Sequence, residues 1–109
     1  MIRVNVFRDS EGTCCRIQIE GHAGYEEYGK DIICASVSAL TLNMANSVEQ
    51  FTDDGFDGSV DEKNGAFEFS FTGEISSESK LLMDSLILGL RNIAETYGEQ
   101  YIKIRFEEV

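Results

Sequence analysis

Proline and tryptophan are absent from this 109-residue chain, and positive charge and long hydrophobic runs are scarce. Without proline there is no polyproline segment, no stiff proline-rich linker and no cis-prolyl turn. Lys and Arg number 9 against 20 Asp and Glu, a formal net charge of −11. Capture of nucleic acid or anionic lipid rests on cations that neutralise phosphate, so neither is an expected partner, whereas a basic protein or peptide is. Cysteine is limited to Cys14, Cys15 and Cys34, an odd number with two adjacent. No disulfide framework follows, and the expected compartment is a reducing one, the cytoplasm. The uncharged stretch Ile32–Val48 carries three Ser, one Thr and two Asn in 17 residues. It is too short and too polar for a membrane span and reads as a buried helix. The N-terminal MIRVNVFRD has no apolar run of the kind a secretory leader needs.

What is present divides by period. Ile2, Val4 and Val6 alternate in 2–8, and Cys15, Ile17 and Ile19 in 13–20, with Asp9-Ser10-Glu11-Gly12 as the turn of a hairpin. Phe67, Phe69 and Phe71 alternate after the turn Asn64-Gly65, so a second hairpin pairs them with 56–62. Ile102, Ile104 and Phe106 mark a last strand over 101–107. Between these lie two helices. The first, 32–50, has the stripe Ile33, Val37, Leu40, Met44, Val48 and Phe51; the second, about 79–97, has Met83, Leu86, Leu90, Ile93 and Tyr97. Ser76 or Ser77 is its N-cap and Gly98 its stop. The order ββαββαβ predicts a single α+β domain over 1–109, its two helices packed on a mixed or antiparallel sheet. The other faces of the first helix are uncharged and rich in small residues, more than one sheet face can cover, which predicts a second subunit.

The chemistry concentrates in Glu20–Leu40, EGHAGYEEYGKDIICASVSAL. His22, the one histidine, follows a strand and lies between Gly21 and Ala23, with Gly24 and Gly29 beyond it. With Asp31 as N-cap, Cys34 falls in the first turn of the first helix, where the helix dipole and free N–H groups favour a thiolate. An imidazole brought near would activate that thiol as a nucleophile, and the flanking glycines let the loop approach the helix end. Tyr25 and Tyr28 are the only large apolar groups between Ile19 and Ile32, so the loop is expected to be weakly held until substrate packs on it. Ser38 lies one turn beyond Cys34, where it either reaches the site or bonds back to the Cys34 carbonyl.

Gly21-His22-Ala23-Gly24, Gly29, Asp31, Cys34 and the helix opening Ala35 to Leu40 resemble the signature of the ribosomal-processing cysteine protease family, often called Prp. The resemblance extends to length and element order. It implies a homodimeric cysteine endopeptidase that removes an N-terminal extension from a large-subunit ribosomal protein, cutting after an apolar, aromatic-containing stretch. Carried over, Cys34 is the nucleophile and His22 the general base and acid.

Other readings stand beside it. A non-enzymatic module capturing a basic ribosomal protein fits the charge, and a redox-active thiol protein fits an activated Cys34. Neither a cofactor nor a metal is expected. Cys14, Cys15, His22 and Cys34 are zinc-ligand types, but adjacent strand residues face opposite ways and no C-x-x-C pair is present. Asp53-Asp54-Gly55-Phe56-Asp57-Gly58 resembles a calcium loop, yet Gly55 and Asn64 stand where acidic ligands are needed, so it reads as a turn.

Overall fold

The computed structural model describes residues 1–27 and 30–109. Its elements are β1 (Ile2–Arg8), β2 (Cys14–Glu20), α1 (Ile32–Phe51), β3 (Phe56–Asp61), β4 (Ala66–Phe71), α2 (Ser77–Tyr97) and β5 (Ile102–Glu108). The expected order ββαββαβ is observed, with boundaries shifted by one or two residues. Neither helix is long and apolar enough to cross a membrane.

The five strands form one mixed sheet in the order β3-β4-β2-β1-β5. Hairpin partners are antiparallel, as is β2 with β4, while β5 returns alongside β1 in parallel. Alternation then sorts the side chains. Ile2, Val4, Val6, Ile17, Ile19, Phe67, Phe69 and Ile102 are buried on one face, together with Ile33, Val37, Met44 and Val48 of α1 and Met83, Leu86, Ile87 and Leu90 of α2. Both helices therefore bury their stripes on the same side of the sheet, except that Phe51, at the last position of α1, is 72% exposed, and the opposite side is left polar. Ser76 caps α2, its hydroxyl accepting from Ser79 N–H, and Gly98 ends it at φ +109. Asp54 braces that cap by accepting from both the N–H and the hydroxyl of Ser76, at 2.9 and 2.7 Å. Within the acidic 53–58 stretch Asp54 is thus a brace for the start of α2, and 56–58 open β3.

One alternation departs from expectation. Phe7 pairs with Arg16 but Arg8 pairs with Cys14, so Cys15 is the extra residue of a β-bulge. The bulge slips the facing by one, and Cys14 rather than Cys15 enters the core, only 5% exposed. Burial pushes its thiol up to about 11. Because the folded state binds this proton more tightly than the unfolded chain, Cys14 contributes stability in full below pH 9, and that contribution is lost as pH rises through 11. Unfolding titrations are expected to show about 2 to 3 kcal/mol of alkaline destabilisation from this group, at about 1.4 kcal/mol per pKa unit. A Cys14→Ala variant should lack that limb; an unchanged slope between pH 9 and 11 would refute the assignment.

Candidate active site

Gly21 closes β2 with φ +95, and a Cβ there would lie 2.4 Å from the Met1 carbonyl oxygen. Only glycine lets the chain turn this tightly against the first strand. The turn delivers His22 to the surface and buries Ala23. Gly24 also has a positive φ, +72, with open space around it, so it is the backbone conformation that calls for glycine there.

Asp31 governs the other half of the site. One carboxylate oxygen, Oδ1, accepts from Ile33 and Cys34 N–H at 3.0 and 3.1 Å, an N-cap in the expected place. The second, Oδ2, accepts from Tyr25 and Glu26 N–H at 3.0 and 3.3 Å. A single buried carboxylate thereby ties the glycine loop to the start of α1. Burial alone would raise its pKa, but the four backbone N–H groups outweigh burial and hold it below the usual range. Tyr25 is fixed further by edge-to-face packing on Tyr97 and Tyr101, with centroids 5.7 and 5.2 Å away. The expectation of a weakly held loop is corrected at this end, because α2 and the segment entering β5 supply aromatic neighbours remote in sequence. Tyr28 and Gly29 lie outside the described residues.

Cys34 is partly buried in the first turn of α1, and its sulfur accepts from Ala23 N–H at 3.3 Å. A lowered thiol pKa is not what the free protein shows. Burial raises it most; the Ala23 N–H, the next influence in size, lowers it, the Asp31 carboxylate raises it again through its charge and a hydrogen bond, and the chain's amino terminus lowers it least. The helix end cannot offset this, because Asp31 already occupies the N–H groups of Ile33 and Cys34, and its carbonyl that of Ala35. The same occupancy keeps these three N–H groups from serving a substrate oxyanion unless the cap opens.

His22 and Cys34 both line a cavity of about 160 Å³ between α1 and the β3–β4 hairpin. Val37, Ser38, Thr41 and Leu42 form the helix wall, and Val60 and Phe67 the facing wall, with Asp61 and Glu62 at the rim. Ser38 lines this groove and its side chain makes no hydrogen bond among the described residues; the back-bond along the helix is made instead by Ser36 to the Ile32 carbonyl, at 2.7 Å. The His22 ring lies with Nε2 3.1 Å from the Lys63 carbonyl oxygen in the hairpin turn. Sequence reasoning missed this contact, since a backbone acceptor 41 residues away leaves no mark on residue type. Among the described residues no group of three or more His, Cys, Asp or Glu is placed to hold a metal ion.

The site thus joins a thiol, an imidazole and an apolar groove, which suits nucleophilic attack on an extended peptide. Residues 1–103 match the family described as cysteine protease Prp. The ribosomal processing cysteine protease Prp of Staphylococcus aureus is 30% identical over 99 residues, covering 91% of this chain and 93% of that protein. Its Bacillus subtilis namesake is 29% identical over 105 residues, covering 91% and 92%. The crystal structure of the S. aureus protease with a covalently linked product peptide superposes with a TM-score of 0.92 at 28% identity, covering 98% of this chain and 100% of that one. The same protease with a substrate peptide gives 0.86 at 27% identity, with the same coverage. The chain belongs to the Prp family of cysteine proteases.

Proposed function

We propose that this protease removes the N-terminal extension of a large-subunit ribosomal protein, with Cys34 as nucleophile and His22 as general base and acid. The observation that carries this reading is the shared groove: the one histidine and a first-turn cysteine line the same apolar cleft. His22 takes the Sγ proton as sulfur bonds to the scissile carbonyl carbon. It then returns that proton to the leaving amine as the C–N bond breaks. Water, deprotonated by His22, releases the acyl group from sulfur. Val37, Leu42, Val60 and Phe67 offer the apolar side chains of the extension a place to bury, and the acidic rim and net charge of −11 attract a basic precursor. The three free thiols fit a reducing cytoplasm.

The test is incubation of the extended ribosomal protein with the enzyme, read by intact mass. The peptidase yields a shortened protein and a released peptide. A binding module retains the precursor uncut, and a redox-active thiol protein does neither. An uncut precursor at equimolar enzyme would overturn the reading.

The active assembly is a homodimer under this proposal. Ser36, Ala39, Asn43 and Asn46, outside the groove, are exposed along one uncharged stripe of α1, a surface suited to a second copy. Light scattering at micromolar concentration is expected to give twice the chain mass of 12.2 kDa. A monomer mass would refute it.

A further inference from the structure

The turn between β3 and β4 touches the site at two points. Its Lys63 carbonyl oxygen lies 3.1 Å from His22 Nε2. Gly65, at φ +63, packs so closely that a Cβ there would sit 2.3 Å from the Gly21 carbonyl oxygen and 3.1 Å from His22 Cε1. The turn is itself braced: Asp61 accepts from the Asn64 backbone N–H at 3.3 Å and from its side-chain Nδ2 at 2.7 Å, while Gly65 N–H donates to the Glu62 carbonyl at 3.3 Å.

A carbonyl oxygen can only accept, so the ring nitrogen facing it must carry the proton. In the neutral ring that leaves the unshared pair on Nδ1. Resting on the proposed roles of Cys34 and His22, we infer that the 61–65 turn is a third working part of the site: the Lys63 carbonyl orients His22 and makes Nδ1 the nitrogen that takes the Cys34 proton. The proton moves from Sγ to Nδ1. The resulting imidazolium then donates a charge-assisted bond through Nε2 to Lys63, stronger than the bond the neutral ring makes. The role is the one a side-chain acceptor fills in a catalytic triad, here supplied by main chain. Glycine at 65 suits this contact: its φ is positive, and a Cβ there would collide with the Gly21 carbonyl and crowd the ring. Lys63 and Gly65 are positioning residues on this account, because they act through His22.

A chain with one histidine makes the test unambiguous. With ¹⁵N-labelled histidine, two-bond proton–nitrogen correlations above the ring's titration should show the Nε2–H tautomer as the dominant neutral form. A dominant Nδ1–H form would overturn the inference. Gly65→Ala should push the turn away, mix the tautomers, and lower kcat by about tenfold or more with KM changed far less. Asn64→Ala, which loosens the brace without adding a Cβ at the contact, should move both readouts the same way by a smaller factor, and decides the question if Gly65→Ala fails to fold. A folded variant with mixed tautomers and wild-type kcat would show that the contact does not matter to the reaction. If the wild type itself leaves the precursor uncut, it is the proposed function that fails, and the tautomer measurement still stands or falls alone.

Discussion

Replacing Cys34 with alanine is expected to abolish precursor cleavage, by about 10,000-fold or more in kcat, while leaving the protein folded and able to hold its substrate. The kinetic loss follows from the chemistry: among the described residues lining the groove Cys34 carries the one thiol, and the Ser38 and Thr41 hydroxyls ionise far less readily. Cys14 is buried in the core beyond the bulge, and the Cys15 thiol donates to the Phe7 carbonyl in the strand. The stability loss should be small. Cys34 is only partly buried, and the hydrogen bond it accepts from Ala23 N–H is one that water entering the groove can replace. Removing the sulfur should therefore cost no more than about 1 kcal/mol. Cys34→Ser keeps the shape and a hydroxyl but not an easily ionised nucleophile, so it should be nearly as inactive. His22→Ala leaves the nucleophile without its base and should cost about 100- to 10,000-fold. Intact-mass kinetics, melting curves and anisotropy of a labelled substrate peptide separate the three quantities. A Cys34→Ala protein that still cleaves at about a tenth of the wild-type rate would end the assignment of the nucleophile, because single-residue losses of covalent catalysts are far larger.

The strands and helices were legible because one buried face imposes a period on residue type, and Ile2-Val4-Val6 or Met83-Leu86-Leu90 obey it without exception. The capping of α1 by Asp31 was legible too, since an N-cap is settled among near neighbours in the chain. Three features were not. The bulge that exchanges Cys14 for Cys15 depends on which residue of β1 each meets, and two adjacent cysteines look alike to any periodic pattern. The second oxygen of Asp31 binds backbone N–H groups of Tyr25 and Glu26, whose side chains carry no sign of it. The Lys63 carbonyl is likewise main chain. At this site the proposed nucleophile and base announce themselves by type, whereas the groups that would position them are backbone atoms and stay silent until the chain is folded.

Asp31 offers the sharpest separation of those two levels. Asp31→Ala removes the acceptor for four backbone N–H groups and is expected to destabilise the protein by about 2 to 3 kcal/mol, a cap plus part of the cost of stranded donors. Asp31→Asn is more informative. Its single carboxamide oxygen can keep the cap on Ile33 and Cys34, but an NH₂ group then faces the N–H groups of Tyr25 and Glu26, so the loop anchor is lost while the helix survives. Two rates should move in opposite directions. Burial is the main cause holding the Cys34 thiol up and the Asp31 charge adds to it, so neutralising Asp31 should lower that pKa and speed alkylation by iodoacetamide at a fixed neutral pH. Cleavage should slow, because the segment carrying His22 and Ala23 is no longer tied to the helix that carries Cys34. In the wild-type protein the same tie depends on an ionised carboxylate whose pKa is depressed on folding. Its contribution is therefore complete above the ordinary aspartate range near pH 4 and is lost only as pH falls through the lower folded value. Alkylation and cleavage falling together in Asp31→Asn would mean that Asp31 serves the thiol directly rather than the loop, and the anchoring role would have to be given up.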